Sequence, residues 1–183
     1  MTEVDDYLEV KKCLDGDSNA FENLIDKYQK AVFNAALRMV RDLDDAEDIT
    51  QAVFLKAYEK LRTFNPKFKF YSWIYRIAIN ESLNFIEKHK NFEGLDAAMT
   101  SKEKTPEEHY EDIELSEKIQ DALMGLNIHY RAVIILRHFE QLSYKEMSYV
   151  LDLPEKTVKS RLFTARQLLS EILMNKGIAA NAR

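Results

Sequence analysis

LSYKEMSYVLDLPEKTVKSRLFTAR, residues 142–166, reads as two short helices meeting at a tight turn. Ser143 followed three positions later by Glu146 is a capping box, so the first helix starts there and turns Met147, Val150 and Leu151 inward. Asp152 and Leu153 form the turn, and Pro154 suits the first position of the next helix, where its missing N–H costs nothing. Val158, Leu162, Ala165 and Leu169 recur at helical spacing and make that helix's buried stripe. Its other face carries Lys156, Thr157, Lys159, Ser160, Arg161, Thr164 and Arg166, with Phe163 beside them and only Glu155 opposing in sign. A helix so charged meets phosphates and base edges. The hairpin departs from the usual helix-turn-helix pattern at Ser148, where a small Ala is common, and at Asp152, where Gly is common. Asp tolerates a left-handed backbone better than most residues, so the turn still closes.

Working outward, periodicity of the helical kind dominates, and four Gly and three Pro in 183 residues leave few breaks. The expected class is all-α: two small helical domains joined by a flexible acidic linker, the C-terminal one carrying the helix-turn-helix. Apolar residues make up 46% of the chain, enough for real cores, which excludes disorder throughout. No window approaches the roughly 18 consecutive apolar residues of a membrane span, and MTEVDDYLEV at the start is too acidic for a secretory signal. The expectation is a cytoplasmic protein without membrane insertion. A lone Cys13 excludes an internal disulfide or thiolate cluster.

The net charge of −5 is unevenly spread. Residues 1–20 hold two Lys against six acids, and residues 87–117 hold four Lys against ten. The remaining segments are mildly basic, so the acidity lies in an N-terminal arm and a central tether. A weakly basic reader binds duplex poorly alone, which points to a partner that supplies affinity.

The first domain, residues 1–89, contains a helix over residues 19–40, with Phe21, Leu24, Ile25, Tyr28, Val32, Ala35, Ala36 and Met39 on its inner face. A second begins near Asp44 or Asp45, whose charges favour a helix N-terminus, and runs to about residue 61. Pro66 breaks the pattern in RTFNPKFKFYS, residues 62–72, and a third helix runs from a capping Ser72 to about residue 89. Residues 90–114 form the linker, and residues 115–183 the second domain, with a further helix over residues 130–139 before the hairpin.

Aromatic rings interleaved with Lys67 and Lys69 in the loop suit single-stranded nucleic acid, because bases stack on rings while cations follow the backbone. Phe64 lies in the loop, and Asn80 follows Trp73 by two turns on the same side of its helix, placed to hydrogen-bond an unpaired base. Phe70 and Trp73 read as core.

A strand-opening domain, an acidic tether and a duplex reader in that order resemble the sigma-70 family of bacterial transcription initiation factors, most of all its small extracytoplasmic-function group. The resemblance covers residues 19–89 and 116–173. DAEDITQAVFLKAYEKL, residues 45–61, is similar to the segment that docks on the clamp helices of the polymerase largest subunit; YSWIYRIAINESLNFI, residues 71–86, is similar to the minus-10 segment. The resemblance implies that Phe64, Lys67, Lys69, Arg76 and Asn80 hold the melted minus-10 strand, with a flipped base against Phe64 and Asn80. It implies that Arg137, Tyr144, Lys156, Thr157, Lys159, Ser160, Arg161, Phe163 and Thr164 face the minus-35 duplex. Lys159 and Thr164 stand where Arg is frequent, and a bidentate guanine contact does not transfer to Lys.

Asp45, Glu47, Asp48 and Gln51 would meet polymerase, with Phe54 adding apolar contact. The implied partners are core RNA polymerase through its clamp and flap regions, promoter DNA and an anti-sigma protein. The acidic linker would mimic nucleic acid in the polymerase RNA channel. A stand-alone helix-turn-helix regulator is the rival, although it has no need of the aromatic-basic first domain. An enzyme is a poor fit: His89, His109, His129 and His138 are scattered without ligand spacing and no nucleophile motif is present, so no cofactor or metal is expected.

Overall fold

The computed structural model describes residues 3–93 and 110–177, with side chains described for 6–89 and 117–177. The first body comprises α1 (Glu3–Leu14), α2 (Asn19–Val40), α3 (Leu43–Lys60), a 3-10 turn (Leu61–Thr63) and α4 (Phe70–Glu93). The second comprises α5 (Tyr110–Met124), α6 (Ile128–Ile134), a π turn (Ile135–Phe139), α7 (Tyr144–Leu151) and α8 (Glu155–Asn175).

In the first body the apolar stripe of α2 packs between α3 and α4. Leu24, Val32, Ala36, Met39, Val53, Ala57, Ile74, Tyr75 and Ile79 are fully enclosed, and each large side chain contributes about 1.5–3 kcal/mol by leaving water. Phe70 and Trp73 belong to this core as expected, at 2% and 5% exposure. Residues 3–14 are the first correction, since the acidic arm is a helix packed on α2. Its period places Asp6, Glu9 and Val10 inward. Asp6 accepts from the Tyr28 hydroxyl at 2.5 Å and pairs with Lys27, while Glu9 accepts from Asn23 at 2.8 Å. Both buried acids have partners, which local periodicity does not reveal.

Asp42 caps α3, its side chain accepting from the Asp45 N–H at 3.0 Å, so that helix begins just before the expected Asp44. Ser72 is not a cap. The Lys69 carbonyl already accepts from the Trp73 N–H at 3.1 Å, and Ser72 sits buried in the first turn of α4 with an unpartnered hydroxyl. Helix α4 runs on to Glu93 and α5 starts at Tyr110, so helix enters the expected linker from both sides. The rest of that linker lies outside the described residues.

The hairpin follows its sequence closely. The Ser143 hydroxyl accepts from the Glu146 N–H, and the Glu146 carboxylate accepts from the Ser143 N–H at 2.8 Å, which closes the capping box. Asp152 takes the left-handed conformation at φ 54° that ends α7, and the Ser148 hydroxyl donates to the Leu153 carbonyl. The two departures from the usual pattern thus hold the turn together. Pro154 occupies the cap position of α8 rather than its first turn. Met147, Val150, Val158, Leu162 and Ala165 are buried, whereas Leu151 and Leu169 are half-buried. The helix expected over residues 130–139 becomes a π turn after Ile134, where the Glu140 N–H reaches back to Ile135 at 3.1 Å.

Candidate nucleic-acid interface

On α8, Lys156, Thr157, Lys159, Ser160 and Arg166 are exposed, and Phe163 stands 64% exposed among them. The sequence-predicted duplex face is therefore one continuous polar and basic strip on a helix anchored from behind. Arg161 and Thr164 are half-buried, and Thr164 donates to the Ser160 carbonyl at 3.3 Å. Tyr144, in the first turn of α7, collects two cations over its ring, Arg137 and Lys159, each 5.3 Å from the centroid. Arg137 also donates to the Leu142 carbonyl at 2.8 Å, which ties the π turn to the start of the hairpin.

In the first body, Asn80 is exposed on α4 and shares an open groove with Lys56, Lys60, Ile77 and Asn84. That groove pairs the amide edges of Asn80 and Asn84, which can hydrogen-bond a base, with two ammonium groups and the Glu81 and Glu87 carboxylates that offset them. Lys56 is tethered there by Glu81 at 2.6 Å. Phe64 is half-buried, its ring edge-on to Phe70 and Trp73 at 5.7 Å each, so one side of it faces outward from an aromatic base. Lys67 is exposed in the loop, where its N–H donates to Asn65 at 3.0 Å. Lys69 pairs with Glu146 at 3.4 Å, and Arg76 donates to the Tyr149 carbonyl at 2.8 Å. Arg76 is thus turned toward the second body, while the Lys69 side chain stays 48% exposed.

On α3, Glu47, Asp48 and Gln51 are exposed and Asp45 is half-buried, its carboxyl pushed up by partial burial and then by the Asp42 charge. Phe54 is the correction here. At 7% exposure it is a core side chain, because the helix turns it toward the same face as Val53 and Ala57. The large apolar groups that α3 presents outward are Leu43 at 50%, in its first turn, and Leu55 at 64% and Tyr58 at 53% further along. Position 55 could have been found from the α3 period, one step around from the buried pair.

Sequence reading did not single out Arg131. It is buried and donates to the Leu123, Met124 and Leu126 carbonyls at 3.0 to 3.3 Å, and to Met39 of the first body. Burial lowers its pKa, yet an arginine stays charged, and these carbonyls replace its water.

Two family models match the chain: sigma-70 region 2 over residues 24–92, and sigma-70 region 4 over residues 116–169. The ECF RNA polymerase sigma factor SigW of Bacillus subtilis is 33% identical over 176 residues, covering 90% of this chain and 94% of that one. This chain belongs to the sigma-70 family, in its extracytoplasmic-function group. The ECF RNA polymerase sigma-E factor of Escherichia coli K12 is 31% identical, covering 90% of this chain and 92% of that one. Among solved structures, CnrH in complex with the cytosolic domain of CnrY shares the fold, with a TM-score of 0.72, 24% identity and coverage of 93% of this chain and 98% of that one. RpoE in complex with the anti-sigma factor NepR, from Bartonella quintana, also gives 0.72 at 24% identity, covering 84% of this chain and 96% of that one. The protein is a sigma factor and not a stand-alone regulator, since region 2 matches residues 24–92 of the aromatic-basic body that such a regulator lacks. Among the described residues no helix is long and apolar enough to cross a membrane.

Proposed function

We propose that this sigma factor reads promoters with two separate surfaces: the exposed strip of α8 enters the minus-35 major groove, and the Asn80 groove with Phe64 and the loop cations captures the melted minus-10 strand. The observation that carries this reading is the hairpin itself, which buries Met147, Val150, Val158 and Leu162 and thereby fixes Lys156, Thr157, Lys159, Ser160 and Phe163 in solvent on one face. Arg137 and Tyr144 support that face, and Arg161 and Thr164 flank it. Phosphate contacts set register while base-edge contacts set sequence, so the lysines supply affinity and Thr157 and Ser160 the readout.

Asp45, Glu47, Asp48 and Gln51 dock on the polymerase clamp, with Leu55 and Tyr58 supplying apolar contact in place of Phe54. The second body contacts the flap region, and the acidic residues between the bodies follow the RNA channel. An anti-sigma protein masks the polymerase-binding surfaces. The protein works in the cytoplasm, where polymerase and promoters are.

Reconstituted transcription tests this. Core polymerase with this protein should start RNA at discrete promoter sites, found by sequencing the transcripts. Initiation no more selective than with core polymerase alone would sink the proposal.

A further inference from the structure

The basic strip of α8 does not end at Phe163. One turn further on, Arg166 is exposed on the same side, in the three- and four-residue spacing that links Lys156, Lys159, Phe163 and Arg166. Its side chain is held from outside the helix. The Arg166 Nε donates to His138 Nε2 at 3.1 Å, so the ring that fixes it belongs to the π turn (Ile135–Phe139). Only one of the five guanidinium N–H groups is used in this way, and the Nη1 and Nη2 donors take no partner among the described residues.

The charged groups that face His138 are Arg166 from α8 and Arg137 beside it on the π turn. Partial burial and then these two cations disfavour the protonated ring, which keeps a lone pair for Arg166. Glu140, the nearest acid in sequence, is turned to Tyr71 and Tyr75 instead. The Tyr144 ring treats Lys159 in a similar manner, at 5.3 Å from its centroid, and shares it with Arg137. Two cations of α8, about 10 Å apart along the axis at 1.5 Å per residue, are thus each held by a ring from elsewhere while both stay exposed. π turns of this kind are frequent at functional sites.

Position along α8 decides what Arg166 can meet. The major groove is about 12 Å wide, and recognition helices read base edges with their N-terminal residues. Arg166 stands roughly 16 Å along the axis from the first residue of α8, Glu155. That is past the width of the groove and level with the sugar-phosphate backbone. With Nε taken by His138, the edge that remains carries the paired terminal donors, which match two oxygens of one phosphate.

We propose that Arg166 clamps a backbone phosphate at the edge of the minus-35 groove and that the His138 ring positions it for that contact. The proposal rests on the promoter reading of α8. His138 acts through Arg166: it removes rotamers that the bound side chain does not use, which leaves less freedom to lose on binding. Any neutral acceptor of similar reach at position 138 serves that purpose, and a methyl group does not.

The test uses core polymerase with the full chain and a promoter fragment mapped by transcript sequencing, with binding read by fluorescence anisotropy at several salt concentrations. Arg166→Ala should weaken binding about tenfold and lower the slope of log affinity against log salt by about one. His138→Ala should weaken it about threefold, His138→Gln should restore parental affinity, and His138→Ala should add nothing in the Arg166→Ala background. In fragments with one phosphate replaced by a methylphosphonate, one position at the groove edge should make parent and Arg166→Ala bind alike. The proposal is overturned if Arg166→Ala keeps the parental slope, if His138→Ala binds like the parent, if His138→Gln binds as poorly as His138→Ala, or if the two alanine effects add. Thermal melts identify any variant that fails to fold, and His138→Gln, which keeps an acceptor, still decides the positioning role. A parent that binds no promoter fragment with core polymerase sinks the promoter reading and the clamp together; failure of the clamp alone leaves the parent bound and Lys159→Ala still lowering the salt slope.

Discussion

The Arg166 Nε donates to His138 Nε2 at 3.1 Å, tying the exposed basic side of α8 to the π turn through a histidine that must be neutral to accept. Partial burial, then Arg166 and Arg137, hold the His138 ring below its ordinary 6.5. The unfolded chain therefore takes up this proton first. The stability that depends on neutral His138 is complete above about 6.5 and is lost as pH falls from there through the lower folded value. Over that window the parent's melting temperature should drop more than that of His138→Gln, which keeps an acceptor and cannot titrate. A His138 ring resonance that titrates at or above 6.5 would remove the argument.

Lys159 is exposed beside the Tyr144 ring, in position to meet a phosphate. Lys159→Ala should weaken duplex binding about equally for all sequences and lower the slope of log affinity against log salt by about one. Phe163→Ala should leave stability within about 0.5 kcal/mol while reducing minus-35 binding. Anisotropy titrations at several salt concentrations check both, and an unchanged slope in Lys159→Ala would mean that no phosphate is met.

Asp152 ends α7 at φ 54°, where a Cβ is a penalty that Gly avoids. Asp152→Gly should be neutral or slightly stabilising to the hairpin, and Asp152→Val should cost about 1–3 kcal/mol. Urea denaturation of the two variants compares them directly; equal midpoints would show that the turn carries no backbone strain.

The hairpin was legible because its signals are local: a capping box, an apolar period and a turn within 25 residues of each other. The all-α class followed from period in the same way, and Phe70 and Trp73 are core as large aromatics most often are. Helix ends were harder to read. α2 and α7 stop on Arg41 and Asp152, and Gln141 is left-handed too, so the usual Gly marker was missing at three breaks. Long-range pairing was not legible at all. Asp6 needs Tyr28 and Lys27, and Arg76 meets Tyr149 across 73 positions, so an acidic arm hid a packed helix and an arginine expected to meet the melted strand is engaged within the protein.

Asn80 is exposed in a groove with Lys56, Lys60 and Asn84, so Asn80→Ala should leave folding stability within about 0.5 kcal/mol. Its loss should appear against single-stranded minus-10 DNA, at about 1–3 kcal/mol for a bidentate base contact. Replacing the captured base with an abasic site distinguishes a base contact from a backbone one. Parent and variant should then bind alike; a persisting difference would place Asn80 on sugar or phosphate.

Phe54 and Leu55 are neighbours on α3 with opposite surroundings, 7% and 64% exposed. Phe54→Ala empties part of the core around Val53 and Ala57 and should cost about 3–5 kcal/mol of stability. Polymerase binding would then fall only as far as unfolding takes it. Leu55→Asp places a charge in water and should leave the melting temperature nearly unchanged. If Leu55 contacts the clamp, the charge must be desolvated on docking, and affinity for core polymerase should drop by tenfold or more, since burying an unpaired carboxylate costs well above the roughly 1.4 kcal/mol of one decade. Calorimetry alongside a core-polymerase pull-down separates the two effects. A stable Leu55→Asp protein that still binds polymerase at parental affinity would move the contact off this face of α3.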